Sequence, residues 1–370
     1  MIKAARRLML GAFVAAAALL GALAPEARAA QYAALVMDAR TGEVLYARNA
    51  DTPLPPASLT KMMTIYLAIE AVKSGRLKLD QKVRVSALAA RQPPSRIGLR
   101  PGQLVRVRDL IRAAAVKSAN DAAMALAEAV GGSKERFAQM MNRKAKALGM
   151  TRTNFRNPHG LTEAGHLSTA RDMAILGRRL FFDHPEYYNI FGRKKTRAVG
   201  RTIYATNRRL LSSYAGADGI KTGYTAASGY NLVASAHRGE KRVIVSVFGA
   251  RSSRQRTQKV AQLLDLGFKR APRDVAVIRP GAPTGRVAHA PAPALRPTPP
   301  AGLLAQLGEA VVPAAAAAEL RASRSRAAPL RAEFPPDKPG GGVAVASQLR
   351  MGAASPAAAL RAPAPRPRPR

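Results

Sequence analysis

Two hydrophobic periods take turns along this chain. Near the start, AALVMDARTGEVLYARN (33–49) sets alternating apolar positions on either side of Arg40-Thr41-Gly42-Glu43, which predicts a β-hairpin. Pro55 and Pro56 end that segment, and Met62, Ile65, Tyr66 and Ile69 then recur at helical spacing. A helix is therefore expected with Ser58 as its N-cap or first-turn residue and its end near Gly75. Helical spacing dominates residues 107–182: VRDLIRAAAV opens on an expected Asp cap, NDAAMALAEAV stops at Gly131-Gly132, and SKERFAQMMNRKAKALG ends at Gly149. After Pro185 the period returns to two, with NLVASAH and KRVIVSVFGA joined by a tight Arg238-Gly239-Glu240 turn, before a last helix, RSSRQRTQKVAQLLDLGF. First and last strands sharing one sheet, interrupted by a helical insertion, give an α+β architecture. A cleft between a sheet-bearing lobe and a helical lobe is a preferred place for a ligand.

The two ends of the chain add an expected destination. Lys3, Arg6 and Arg7 precede an apolar run from Leu8 to Leu23 and then Ala27-Arg28-Ala29, the pattern of a secretory signal cleaved after Ala29 or Ala30. That run falls short of the roughly 20 residues that span a bilayer, and Pro25 breaks it. Export to the periplasm or cell envelope is the expectation. From Ala271 the composition shifts to Pro, Ala and Arg, ending RAPAPRPRPR, as in a disordered or polyproline-rich tail. The expected division is a signal peptide at 1–30, a catalytic domain at 31–270 and a low-complexity tail at 271–370. GLLAQLGEAVV in that tail is too short and too weakly amphipathic to make a secure membrane anchor.

Composition removes several chemistries. With no Cys there is no disulfide, thiol nucleophile or thiolate site, and the five His form neither H-x-H nor H-E-x-x-H, so no metal and no cofactor is expected. The net charge of +38 favours anionic partners. The basic residues are scattered without the interleaved aromatics of a base-stacking surface, and the chain carries an export signal, so no nucleic acid is expected. Anionic envelope components, met through the basic surface or the tail, fit better.

The candidate chemistry lies in three short stretches. Ser58 and Lys61 are three residues apart on one helix and must be neighbours, which suits a serine nucleophile with a lysine base. Ser118 and Asn120 sit between two helices, where capping alone would account for them, and Lys221-Thr222-Gly223 would singly pass for a strand end. In this order, S-x-x-K, S-x-N and K-T-G form the signature of the penicillin-recognising serine enzymes.

Residues 31–270 resemble the low-molecular-mass penicillin-binding proteins that are serine-type D-alanyl-D-alanine carboxypeptidases. The likeness runs through SANDAAMALAEAVGGSKERFAQMMNRKAKALGMTRTNFRNPHGLTEAGHLSTARDMAIL, including Asn157-Pro158-His159-Gly160-Leu161, Thr169-Ala170 and Asp172, and through GADGIKTGYT. It implies the transpeptidase fold of penicillin-binding proteins and β-lactamases, an antiparallel sheet flanked by helices with a helical lobe beside it. It implies peptidoglycan stem peptides as substrate and β-lactams as covalent inhibitors. It also implies roles: Ser58 the nucleophile, Lys61 its base, Ser118 a proton relay, and Asn120 the holder of the substrate amide. Lys221 and Thr222 would bind the terminal carboxylate, with Lys221 also keeping Lys61 unprotonated, and the amides of Ser58 and Tyr224, flanking Gly223, would bind the oxyanion. Position 224 is often His in relatives, a change that leaves a backbone role intact. Arg208 or Arg209 would assist the carboxylate, while His159 and His166 would be structural. Three alternatives stay open: a D,D-endopeptidase with the same residues, a class A β-lactamase using Glu163 or Glu186 for deacylation, and a non-catalytic wall-binding protein.

Overall fold

The structure, a computed structural model, describes residues 31–282; the expected signal peptide at 1–30 and the tail beyond 282 lie outside the described residues. In chain order the strands are β1 (Ala33–Asp38), β2 (Val44–Arg48), β3 (Lys82–Arg84), β4 (Leu104–Arg106), β5 (Lys195–Ala198), β6 (Arg201–Tyr204), β7 (Ala217–Thr225), β8 (Gly229–Arg238) and β9 (Lys241–Ala250). Five of them form one antiparallel sheet in the order β2-β1-β9-β8-β7, while β3–β4 and β5–β6 are separate two-stranded sheets. The first hairpin thus pairs with the last three strands, as the two-period pattern requires.

The alternation within each strand decides which face a side chain serves. Leu35 and Met37 of β1, Val233 of β8 and Ile244 and Phe248 of β9 join the core shared with the helical lobe. Their neighbours Ala34, Val36, Leu232, Ala234, Val243, Val245 and Val247 form a second core under the helix Ser253–Arg270, with its Leu263, Leu264 and Phe268. A strand covered on both faces reads as a nearly continuous apolar run, and β1 is buried throughout. On the first face, helix Ala170–Asp183 approaches so closely that a Cβ on Gly177 would stand 2.9 Å from Ile220 Cδ1.

The helical lobe is built around helix Lys61–Lys73, buried from Lys61 through Ile69 on every side, as a central core helix must be. Around it stand helices Asn120–Gly131 and Lys134–Ala147. Ser133, Thr169 and Ser252 cap the helices that follow them, each accepting a bond from the backbone N–H three residues on.

Four details depart from the sequence expectation. The helix expected to start at an Asp cap begins at Val107, so Asp109 lies inside its first turn, where a carboxylate still meets the positive end of the helix dipole. Residues 148–169 are not helical: Pro158, Gly160 and Gly165 interrupt the period, and the segment folds as a loop pinned by Asn154 and Leu167. The strand pairs β3–β4 and β5–β6 and the helix Arg208–Ser213 are too short to show a full hydrophobic period. Residues 271–281, which composition groups with the tail, run along the first hairpin and helix Ala170–Asp183: Arg40 donates to the carbonyls of Pro272 and Arg273 at 2.7 and 3.1 Å, and Arg179 donates to that of Gly281 at 2.6 Å.

The outer face is as tightly filled as the inner one. A Cβ on Gly267 would stand 2.5 Å from Val243 Cγ1 and 2.8 Å from Val36 Cγ1. Gly267→Ala is expected to destabilise the protein by about 1–3 kcal/mol through overpacking, read as a lower urea midpoint with an unchanged slope.

Candidate active site

The site begins with a turn. Pro55 and Pro56 lead into a single 3-10 turn, Ala57–Thr60, that runs straight into helix Lys61–Lys73, so Ser58 lies in the turn and makes no capping bond. Ala57 holds φ at 49°, a conformation costing on the order of 1–3 kcal/mol in a residue with a Cβ, and it does so next to the nucleophile candidate. Behind it sits Gly160 at φ 86°: a Cβ there would fall 1.8 Å from Ala57 O, so only glycine lets the Asn157–Leu161 loop come this close.

That approach sets the environment of Lys61. Its side chain is fully buried, and Nζ lies 2.9 Å from Ser58 Oγ, 2.7 Å from Asn120 Oδ1 and 2.7 Å from His159 O. Burial drives its pKa well below the ordinary lysine value, helped by the charge of Lys221 and opposed by Asp121. A neutral amine has two N–H groups and one lone pair. Asn120 Oδ1 and His159 O accept the two hydrogens, which leaves the lone pair for the hydroxyl of Ser58.

Asn120 does more than start a helix. Its Nδ2 donates to Pro93 O at 2.8 Å and its backbone N–H to Ser95 O at 2.7 Å, so one residue ties the 93–95 loop to Lys61. The neighbouring Asp121, fully buried, accepts from the amides of Ile97, Gly98 and Leu99 and fixes the rest of that loop. Ser118 ends the widened turn Ala113–Lys117 at φ 64°, in the left-handed region, and lines the cleft together with Ser58.

The opposite wall is β7, the edge strand of the sheet, whose outer N–H and C=O groups have no strand partner among the described residues. A Cβ on Gly223 would stand 3.1 Å from Ser58 N and 2.9 Å from Pro56 O, so glycine brings this strand against the Ser58 turn. Lys221 is buried, donates to Thr222 O at 3.0 Å, and has its pKa pushed down to about 7 by burial and by the nearby charge of Arg256. Thr222 Oγ1 donates to Thr206 Oγ1 at 2.6 Å. Tyr224 is exposed and stacks on Tyr230 at 4.3 Å between ring centroids.

Between these walls lies a cleft of about 350 Å³ lined by Ser58, Ser118, Asn120, Thr222, Gly223 and Tyr224. All three motifs therefore meet, with Lys61 and Lys221 buried behind the lining. Arg208 and Arg209 do not join them: both are exposed and absent from the lining, and Arg208 stacks over the Tyr204 ring. Two residues that sequence reasoning missed take that place. Thr206 opens the same TNRR stretch two positions earlier, and Arg256 comes from the first turn of the last helix. Arg256 is 6% exposed, its pKa is lowered to about 10 by burial, and among the described residues it has no carboxylate partner. No local motif marks a lone Arg in a helix, so only the fold could reveal it.

The two histidines are held neutral. Burial lowers His159 to about 2 and His166 to about 4. His166 accepts the Arg156 amide at Nδ1 and meets Thr60 Oγ1 through Nε2, a structural bridge between the loop and the Ser58 turn.

The buried lysines have a stability consequence with a definite sign. An unfolded lysine titrates near 10.4 but Lys221 near 7, so between those values the unfolded state binds more protons and wild-type stability rises with pH. Lys221→Met is expected to be more stable than wild type by about 1–2 kcal/mol at neutral pH. Urea unfolding at a series of pH values should show this advantage shrinking towards pH 10.

Comparison with known proteins bears on the family and the fold. The family profile described as D-alanyl-D-alanine carboxypeptidase, peptidase S11, matches residues 21–252. D-alanyl-D-alanine carboxypeptidase DacF of Bacillus subtilis is 41% identical over 249 residues, 66% of this chain and 63% of that protein. DacC of Escherichia coli is 45% identical over 246 residues, 64% of this chain and 60% of that protein. The chain thus spans less than two thirds of the length of these relatives. Penicillin binding protein 5 of Haemophilus influenzae superposes with a TM-score of 0.62 at 37% identity, covering 67% of this chain and 73% of that one. Penicillin-Binding Protein D2 of Listeria monocytogenes, in its cefotaxime-bound form, does so with a TM-score of 0.59 at 37% identity, covering 64% and 96%. With the family profile matched across most of the described domain, the chain belongs to the peptidase S11 family of D-alanyl-D-alanine carboxypeptidases.

Proposed function

We propose that this protein is a serine D-alanyl-D-alanine carboxypeptidase that removes the terminal D-alanine from peptidoglycan stem peptides through an acyl-enzyme. One observation carries the reading: a wholly buried Lys61 Nζ lies 2.9 Å from Ser58 Oγ, with its other two positions taken by Asn120 and His159 O. A serine hydroxyl needs a base, and a lysine serves as one only when held neutral. Ser58 Oγ attacks the carbonyl of the D-Ala-D-Ala bond as Lys61 takes its proton. The oxyanion is met by the N–H groups of Ser58 and Tyr224, and losing one such donor costs about 3 kcal/mol in the barrier. Ser118 carries a proton to the departing amine, D-alanine leaves, and water hydrolyses the ester. Asn120 holds the substrate amide, and Lys221 and Thr222, supported by Arg256, hold the free carboxylate.

A β-lactam presents a strained amide and a carboxylate to the same groups, so covalent β-lactam binding belongs to this reading. Rapid β-lactam hydrolysis does not. Glu163 is engaged by Asn157 and Lys134, Glu186 pairs with Lys73, and neither lines the cleft. Cleavage of peptidoglycan cross-links would use the same residues and differ only in the leaving group. A signal peptide in residues 1–30 would bring the enzyme to a substrate outside the cytoplasm.

Intact-protein mass after incubation with benzylpenicillin tests the nucleophile: wild type is expected to carry one persistent penicilloyl adduct and Ser58→Ala none. Absence of an adduct in wild type, with no loss of penicillin, would sink the reading. Lys61→Arg, which puts a permanently protonated guanidinium where a neutral amine is needed, is expected to slow acylation by about 10²- to 10⁴-fold. Because the Lys61 pKa is depressed, the wild-type acylation rate should climb with pH and level off well below the ordinary lysine range.

A further inference from the structure

Of the large apolar and aromatic side chains that stand exposed among the described residues, Tyr224 is the one that lines the cleft. Its ring centroid lies 4.3 Å from that of Tyr230, with 34° between the ring planes, and Tyr230 lines the cleft beside it. The two are direct partners across β7 and β8, one residue pair before the turn that joins the strands. That turn is locked by reciprocal bonds: the Thr225 amide donates to Ser228 Oγ at 3.0 Å and the Ser228 amide to Thr225 Oγ1 at 3.1 Å. Tyr230 covers one face of the Tyr224 ring, and at 55% exposure Tyr224 leaves much of the rest open. An aromatic ring held in place by its neighbour loses little freedom when a ligand settles on it.

The strand register decides which end of the cleft this pair serves. Side chains alternate along β7, so Thr222 and Tyr224 share one face, while Lys221 and the position of Gly223 are turned the other way. Gly223 abuts the Ser58 turn. Leu232, the partner of Thr222, packs in the core under helix Ser253–Arg270, so the face with Thr222 and Tyr224 looks towards that helix. The first turn of the helix adds Ser253 and Arg256 to the cleft lining, and Arg256 donates to Ser253 Oγ at 3.2 Å. The tyrosine pair therefore lies on the same face of β7 as Thr222 and Arg256, the groups read above as holding the substrate's free carboxylate.

We propose that Tyr224, backed by Tyr230, forms a subsite for the side chain of the leaving residue, and that it favours a C-terminal D-residue with an aromatic side chain over D-alanine. The inference rests on the carboxypeptidase reading of the cleft. The α-carbon of the leaving residue is bonded both to the scissile nitrogen and to the carboxylate carbon, so its side chain departs next to Thr222. Residues two apart on a strand are separated by roughly 6.6 Å, which puts the Tyr224 ring one residue pair further along the same face. The methyl of D-alanine falls short of it, whereas a phenyl ring carried on a Cβ can lie against it. Aromatic rings in such contact gain more than their buried area alone supplies.

The test uses the full-length protein and N-acetylated tripeptides that share one acyl part and end in D-Ala-D-Ala or D-Ala-D-Phe. Both form the same acyl-enzyme, so the preference appears in kcat/KM, which reports acylation. Titration with benzylpenicillin first counts the sites that acylate, so that rates refer to folded enzyme. Wild type is expected to favour the D-Phe peptide by about three- to tenfold. In Tyr224→Ser the ratio of the two kcat/KM values is expected to fall to about one or below, and in Tyr224→Phe, which keeps the ring, to match wild type. The ratio cancels any change in chemistry common to both peptides, including one at the Tyr224 amide. Tyr230→Ser removes the support and is expected to narrow the ratio as well. A wild-type ratio at or below one, with a penicilloyl adduct formed, would overturn the subsite and leave the carboxypeptidase reading intact. So would a ratio that Tyr224→Ser leaves unchanged. No release of either terminal residue and no adduct would overturn the carboxypeptidase reading instead.

Discussion

The burial of Lys61 is the constraint to which the rest of the site answers. An ammonium cannot be removed from water without a large penalty, so the side chain gives up its proton, and the fold then has to satisfy a neutral amine. Two carbonyl oxygens, from Asn120 and His159, take its hydrogens and orient its lone pair at Ser58. Each acceptor belongs to a different part of the helical lobe. The base is therefore correct only when helix Asn120–Gly131, the Asn157–Leu161 loop and the Ser58 turn have docked together.

Close backbone approach makes that docking feasible, and two glycines mark it. Gly160 lies against the carbonyl of Ala57 and Gly223 against the amide of Ser58, so the turn is gripped from the helical lobe on one side and from the sheet on the other. Residues on both sides of the nucleophile, Ala57 in the turn and Ser118 across the cleft, hold left-handed conformations. Such strain survives only where surrounding packing over-determines it, here two cores that grip opposite faces of one sheet.

Positive charge plays two different parts. Lys61, Lys221 and Arg256 are buried together, and burial, helped by the repulsion of Lys61 by Lys221 and of Lys221 by Arg256, lowers the pKa of the two lysines. The exposed cations of the surface face one another through solvent, where salt screens them. The net charge of +38 says nothing by itself about this division.

Much was determined by the sequence alone. Period-two and helical patterns are local consequences of backbone geometry, so the strands of the main sheet and the long helices are legible in the order of residues. The spacing of Ser58 and Lys61 guarantees adjacency because three residues make nearly one helical turn. Helix Val107–Arg112 was misread at its cap because Asp109 suits both a cap and a first turn. Tertiary structure decided what is not local: that Asn120 turns its side chain to Lys61 instead of capping a helix, and that His159 contributes a carbonyl rather than an imidazole. It also decided that Thr206 and Arg256, not Arg208 and Arg209, line the cleft. The physical reason is the same in each case. Local spacing fixes which neighbours share a turn, whereas the partner of a buried polar group is chosen by packing between segments far apart in the chain.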